Sequence, residues 1–332
     1  MLRLAPTEYR KFFQNDQMIA TFGGAEANVA VCLSNFGFST EFVSVLPDNE
    51  IGKAAQCELR YFGVGTKNLK FKDGRMGLYF LERGVSQRPS KVIYDRAFSS
   101  FSQSEKCDYD WDTIFEDADW FHFSGITPAL SENLVEICLV ACKKAKEMGI
   151  TISCDLNYRK KLWSPEKAQK TMTNLMQYVD VCFTNEEDAD KVLGIQASDT
   201  NIEKGNLNKD SYLSVAKQIC NRFGCQYVSI SLRKSYSASY NGWSVMLYDS
   251  KLRQAYFSKE YDIQIVDRVG AGDSFAAGII YCLINQMEGW RIVEFAAAAS
   301  CLKHSIEGDY NRISIQDISN LIENGGSGRV VR

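Results

Sequence analysis

From Asp119 to Leu232 the chain alternates short apolar runs with longer amphipathic ones, an order that few architectures accommodate. Asp119 to Ser124 reads as a strand, Glu132 to Met148 as a helix closed by Gly149, and Ile150 to Leu156 as a buried strand. Pro165 to Tyr178 then fits a helix, Val179 to Thr184 a strand, and Glu186 to Leu193 a helix capped by Asn185. A polar loop, Gln196 to Asp210, leads to a helix from Tyr212 to Phe223 and a strand from Gln226 to Leu232. Apolar strands separated by helices pair in parallel, because a parallel neighbour needs a long crossover and a helix supplies it. The predicted fold is therefore α/β: a doubly wound, mostly parallel sheet with helices on both faces.

The same alternation opens upstream, with a strand at Glu41 to Leu46 and a helix from Glu50 to Phe62, and then breaks. Between about Lys70 and Ser104, Arg75 to Glu82 and Lys91 to Arg96 look like short strands with no helix between them. Such an insertion suggests a small β-sheet lid, so we expect one domain over 1–332 with a lid from discontinuous insertions near 5–20 and 70–105. Tyr79, Tyr94 and Arg96 stand out in it, although two tyrosines and an arginine also suit an ordinary exposed sheet.

Two glycine-bearing junctions carry the chemistry. In Val266-Asp267-Arg268-Val269-Gly270-Ala271-Gly272-Asp273-Ser274-Phe275 an alternating run from Tyr261 gives way to an apolar helical run, with further strands at Trp243 to Tyr248 and Gln254 to Tyr261 before it. Gly270 and Gly272 allow a tight turn whose N–H groups converge, and the helix that follows adds its positive end, so an anion is expected there. Asp273 reads either as a helix cap or as a general base toward a hydroxyl attacking a phosphoryl group. Upstream, Gly23-Gly24 precede a helix from Ala25, where Gly24 lets a ligand approach the backbone and Asn28 offers an amide one turn on.

Two strand ends complete the set. Asp155-Leu156-Asn157-Tyr158-Arg159 ends a predicted parallel strand, where α/β proteins bind ligands, and Arg159 suits either an anionic group or a surface ion pair. Asn185-Glu186-Glu187-Asp188 suits water-mediated Mg²⁺ binding or a capped helix start. Three further helices, Ser274 to Asn285, Trp290 to His304 and Ile315 to Ile322, precede a Gly-rich tail.

Composition narrows the partners. With 38 basic against 41 acidic residues, dispersed, there is no electrostatic footprint for nucleic acid or an anionic membrane. Eleven cysteines without a CxxC pair and only two histidines supply a zinc site poorly. They read as reduced thiols of a cytoplasmic protein, with no apolar run near the ~20 residues of a membrane span.

Gly23-Gly24-Ala25-Glu26-Ala27-Asn28 and Asp267-Arg268-Val269-Gly270-Ala271-Gly272-Asp273, in this order and at domain-scale separation, resemble the two signatures of the ribokinase-like sugar kinases, the PfkB family. The resemblance spans nearly the whole chain. Gly77-Leu78-Tyr79, Tyr94-Asp95-Arg96-Ala97, Asp155 to Arg159 and Lys303 to Asp309 look most like the branch that phosphorylates 2-keto-3-deoxygluconate at its C6 hydroxyl. This resemblance implies an ATP-dependent, Mg²⁺-assisted kinase, with a monovalent cation as an optional third cofactor and a sugar acid as partner substrate; the exposed β lid is expected to serve as the surface of a homo-oligomer.

By the same resemblance Gly24 and Asn28 hold sugar hydroxyls, Tyr79 and Tyr94 line the pocket, and Arg96 and Arg159 meet the carboxylate. Asp273 is the base, Gly270, Ala271 and Gly272 hold the transferring phosphoryl, and Asn185 and Asp188 arrange the waters of Mg²⁺. Asn185, Ser231, Arg233, Gly270 and Gly272 would contact ATP. Other readings are a ribokinase- or fructokinase-type kinase of a neutral sugar, and an inactive binding or regulatory protein on the same fold. Three positions depart from the family pattern. Asp188 is one methylene shorter than the usual Glu, and Ser231 to Ala238 lacks the Gly common in relatives. The strand and Gly-Glu turn that precede a segment like Leu2-Arg3-Leu4 in relatives are absent, as from a displaced start or a truncation, so an unpaired sheet edge is expected.

Overall fold

In the computed structural model, which describes residues 1–196 and 208–325, the alternation closes into one central sheet with two smaller ones beside it. In chain order the strands are β1 (Leu2–Pro6), β2 (Met18–Phe22), β3 (Ser44–Pro47), β4 (Leu69–Lys72), β5 (Leu78–Glu82), β6 (Lys91–Asp95) and β7 (Trp120–Ser124). Then follow β8 (Thr151–Asp155), β9 (Val181–Thr184), β10 (Tyr227–Ser235), β11 (Tyr240–Asp249), β12 (Gln254–Phe257) and β13 (Tyr261–Gln264). The helices are α1 (Ala25–Asn35), α2 (Glu50–Tyr61), α3 (Trp111–Ile114), α4 (Ile126–Ala129), α5 (Glu132–Glu147) and α6 (Pro165–Met176). They continue as α7 (Glu186–Leu193), α8 (Lys209–Phe223), α9 (Ala271–Ile284), α10 (Gly289–Lys303) and α11 (Ile315–Asn324).

The central sheet has the order β12-β11-β10-β9-β8-β7, with β13 also paired to β11. Strands β7 to β10 run parallel, in a register that sets Phe121 beside Ile152 and Ser229 beside Phe183. Beyond β10 the pairing is antiparallel. All four residues of β9 are buried, as a strand covered on both faces requires. One core layer packs residues of α5 to α8, among them Ala141, Met172, Val192 and Val215, on one face. The other packs Val29 and Cys32 of α1 with Ile279 of α9, Val293 of α10 and Ile318 of α11 on the opposite face. Ser131, Ser164, Asn185, Asn208 and Ser314 cap α5, α6, α7, α8 and α11 through side-chain oxygens.

Several boundaries differ from expectation for local reasons. The strand expected at Gln254 to Tyr261 stops at Phe257, before the alternating run that forms β13: Met246 faces Phe257 and Trp243 faces Tyr261, so β11 spans in three steps what the partner spans in four. The extra residue is a bulge at Ser258–Glu260. Asn208 caps Asp210 and starts α8 earlier than the apolar spacing indicated; of the polar loop, 197–207 lie outside the described residues, as does the tail from 326. Strand β3 starts only at Ser44 and pairs in parallel with the unforeseen β4, apart from the central sheet.

Strands β1, β2, β5 and β6 form a separate four-stranded sheet in the order β2-β1-β5-β6. Tyr79 on β5 is buried, whereas Ile19 on β2 and Ile93 on β6 are exposed. Strand β7 ends the central sheet, and its outer edge has no partner strand among the described residues. No helix of the described residues is long and apolar enough to cross a membrane.

Candidate active site

The turn between β13 and α9 shows why glycine stands at 270. Its φ is +80°, in the left-handed region, and a Cβ there would run into the carbonyl oxygen of Asp309. This residue is the N-cap of α9, with no side-chain cap; the Ala271 amide donates weakly to the Arg268 carbonyl at 3.4 Å, and the positive end of the helix is open to an anion. The helix therefore starts at Ala271, and Asp273 lies inside its first turn rather than at its cap. The cap role allowed for Asp273 is thus excluded by register. Its carboxylate instead accepts a hydrogen bond from Asn28 Nδ2 at 2.6 Å, while Asn28 Oδ1 accepts from the Gly24 amide at 3.2 Å. Burial pushes the Asp273 carboxyl up to about 7, against the Asn28 hydrogen bond; Asp309 and Glu26 add to the rise and Arg159 opposes it. A carboxyl poised there is suited to take a proton near neutrality.

One cavity of about 1200 Å³ gathers every residue singled out above: Gly24, Asn28, Tyr79, Tyr94, Arg96, Arg159, Asn185, Asp188, Ser231, Arg233, Gly270, Ala271, Gly272 and Asp273. It is larger than the ~300–1,000 Å³ of common ligand pockets. It also runs between β3 and β7, whose residues Val45 and Phe121 line it.

Two arginines dominate the four-stranded-sheet side of this cavity. The guanidinium of Arg96 stacks over the Tyr94 ring at 3.8 Å from its centroid, and Tyr94 in turn lies against Tyr79. Arg96 is buried, yet its Nε and Nη1 have no hydrogen-bond partner. Burial and the nearby Arg159 lower its proton affinity, with Tyr94 opposing. Arg159 follows Asn157, which turns the chain off β8 in a left-handed conformation (φ 42°) that Asn tolerates. It donates only to the Tyr158 carbonyl, at 2.8 Å. Neither arginine has an ion-pair partner among the described residues, so two buried or half-buried cations face the cavity with spare donors, as an anionic ligand requires.

The β9 end presents acids. Asn185 caps α7 by accepting from the Asp188 amide at 2.8 Å, and its Nδ2 donates to Asp188 Oδ2 at 2.9 Å. The helix-start reading of this pair is thus observed, and the cap holds the carboxylate in the cavity wall. Burial raises Asp188 to about 7, with Arg159 and the Tyr158 amide opposing. Asp155 is pushed well above the usual carboxylate range by burial and then by Asp188 and Asp273. Among the described residues no group of three or more His, Cys, Asp or Glu side chains forms a metal cage. Mutually repelling carboxylates beside an anion turn nevertheless fit an Mg²⁺ ion that takes most of its ligands from phosphate and water.

Several residues at the site carried no role in the sequence reading. Glu26 Oε1 accepts from the amide and hydroxyl of Ser124 and from Thr127 Oγ1, tying α1 to the end of β7. Arg268, just before the glycine turn, has an unpartnered Nε and a proton affinity lowered by burial and by the approach of Arg233. Both sit inside the matched motifs, where neighbouring glycines and Asp273 drew the attention. The exposed Arg233 and half-buried Ser231 stand on β10 at the same cavity.

The chain is similar to known proteins over most of its length. A family model described as "pfkB family carbohydrate kinase" matches residues 3–315. A solved structure of 2-dehydro-3-deoxygluconokinase from Thermotoga maritima is 48% identical, superposes with a TM-score of 0.93 and covers 97% of each chain. A 2-dehydro-3-deoxygalactonokinase of Haloferax volcanii is 31% identical over 99% of this chain and 96% of its own length. A 2-dehydro-3-deoxygluconokinase of Bacillus subtilis is 26% identical over 89% of this chain and 84% of its own.

Proposed function

The chain belongs to the pfkB family of carbohydrate kinases, and we propose that it transfers the γ-phosphoryl group of ATP to the terminal, C6 hydroxyl of 2-keto-3-deoxygluconate, giving the 6-phosphate. The observation that carries the substrate class is the Arg96–Arg159 pair, two cavity-facing cations that make no ion pair among the described residues, with Nε and Nη1 of Arg96 left without a hydrogen-bond partner. A neutral sugar offers these donors no charge, whereas the carboxylate of a sugar acid can pair with both. The galactonate epimer is the second reading, favoured by the Haloferax relative's name.

In this reading the carboxylate end of the substrate lies on Arg96 and Arg159, its hydroxyls on Asn28 and the Gly24 backbone, and its chain against Tyr79 and Tyr94. Asp273 takes the proton from the attacking hydroxyl. The amides of Gly270, Ala271 and Gly272 and the positive end of α9 receive the charge that builds up on the transferring phosphoryl, the Ala271 amide by giving up its long contact to the Arg268 carbonyl. Arg233, Arg268 and Ser231 face the phosphates and nucleotide. Asn185 and Asp188 would hold Mg²⁺ through water, and the ion supplies charge neutralisation on the phosphates. The four-stranded sheet acts as a lid that keeps water from the reacting groups, and its exposed Ile19 and Ile93 make it the self-association face, which sedimentation or light scattering tests.

The deciding experiment is ATP-dependent phosphorylation over 2-keto-3-deoxygluconate, its galactonate epimer, fructose and ribose, with and without added K⁺. Turnover of the two sugar acids alone is the expected result; turnover of fructose or ribose without the acids overturns the reading.

A further inference from the structure

Behind the glycine turn lies a buried charge cluster that no step above uses. It comprises Arg3 on β1, Asp267 before the turn, Lys303 at the end of α10 and Asp309 after it, none more than 4% exposed. The Arg3 guanidinium ion-pairs with Asp267 through Nη2 and with Asp309 through Nη1, the latter at 3.0 Å. Tyr79 on β5 donates its hydroxyl proton to Asp309. Thus two strands of the four-stranded sheet hold Asp309, and one of them holds Asp267 as well.

Those acids in turn shape the turn. Asp267 Oδ1 accepts from the Val269 amide at 3.1 Å, and Asp267 Oδ2 accepts from the Gly308 amide at 3.2 Å. The Asp309 carbonyl presses on Gly270 where a Cβ would sit, and the Lys303 Cε lies 3.3 Å from that same point. The Asp309 carboxylate likewise fills the space beside Gly23, so this one residue touches both glycine signatures. Lys303 Nζ donates to the Ile306 carbonyl at 3.2 Å, holding the 303–309 segment in place.

We propose that Arg3 and Asp309 are positioning residues for phosphoryl transfer: they lock the four-stranded sheet to both glycine turns, so that the amides after Gly270 are aimed correctly only when the sheet is seated. A buried network of this kind has few alternative arrangements, since each charge left without its partner is costly, and it behaves as one unit. The device makes closure over the sugar and assembly of the anion site a single event, so phosphoryl transfer to water is suppressed while the sheet is displaced. This inference rests on the kinase reading above.

Its test is a double-variant cycle on Arg3→Met and Asp309→Asn, with kcat and KM for both substrates measured on folded protein well below its melting temperature. Each single variant is expected to lower kcat by about tenfold or more, as displaced transition-state donors do, with KM for ATP little changed. The double variant is expected to be no worse than the poorer single variant by more than about twofold, the sign of a shared unit. Should Arg3→Met fail to fold, Arg3→Lys keeps the charge but loses the fork and serves the same cycle. Variants that melt earlier yet keep wild-type kcat would reduce the cluster to a structural role, and fully additive losses would refute the coupled unit. Wild-type turnover in the same assay separates either outcome from a failure of the kinase reading itself.

Discussion

Asp273→Asn separates the chemistry of this site from its folding energetics in one protein. Burial shifts the Asp273 carboxyl from 3.8 to about 7, a difference of roughly three units, each worth ~1.4 kcal/mol. Between about pH 4 and pH 7 the folded chain holds a proton that the unfolded chain has released. Stability from this group is therefore full below pH 4, falls as the pH rises through that window, and is flat above it. Ionised Asp273 at pH 8 then costs at most ~4 kcal/mol, and ~2–4 kcal/mol once its partial exposure to the cavity is discounted. Asparagine retains an oxygen for the Asn28 amide at 2.6 Å and carries no charge. The variant should thus melt higher than wild type by roughly 4–8 °C at pH 8, and no higher at pH 4, in calorimetric scans. Turnover should fall by ~10²–10⁴-fold, and wild-type kcat/KM should rise tenfold per pH unit up to about 7 before levelling. A variant that retains more than about a tenth of the wild-type rate, or gains equal stability at both pH values, refutes the reasoning.

Four further outcomes follow from the geometry. Arg159→Ala should raise KM for the sugar acid by ~10–100-fold, the loss of one charge-assisted contact, while leaving KM for ATP within about threefold. Because Arg159 holds Asp273 and Asp188 down, the ascending limb of the pH profile should also move to higher pH in that variant. Gly270→Ala should destabilise the fold by ~2 kcal/mol or more in denaturant titration, through its left-handed φ and the collision with the Asp309 carbonyl, and should lower kcat. Asp188→Asn should raise the Mg²⁺ concentration needed for half-maximal rate, as read in a metal titration. Of the eleven cysteines, Cys57 and Cys107 alone are exposed, so these two should react with a thiol reagent in the native protein within minutes, and Cys32, whose thiol burial pushes up to about 12, only on unfolding.

Local sequence announced most of the central sheet. The runs that became β8 and β9 are apolar enough to be buried on both faces, and Ser131, Ser164 and Asn185 mark helix starts through short-range hydrogen bonds. Where the reading went astray, the determinant was a partner strand rather than the segment itself. The bulge at Ser258–Glu260 depends on which residues of β11 it must face, and β4 became a strand by pairing with β3. Asp273 was legible as important but not as a residue of the first helical turn, because the start of α9 is set by Gly270 fitting against Asp309.

The sequence alone determined the α/β alternation, the two glycine turns and the identities of the arginines and acids at strand ends, since spacing and turn chemistry act over a few residues. Only the tertiary structure decided who meets whom. Asn28 reaches Asp273 across 245 positions and Arg3 reaches Asp309 across 306. Such contacts are fixed by how the sheets and helices pack as a whole, and no local pattern encodes them. The convergence of Arg96 with Arg159, the raised Asp273 carboxyl and the cluster behind Gly270 all arise there, because burial and neighbouring charge are properties of the folded chain and not of any segment in it.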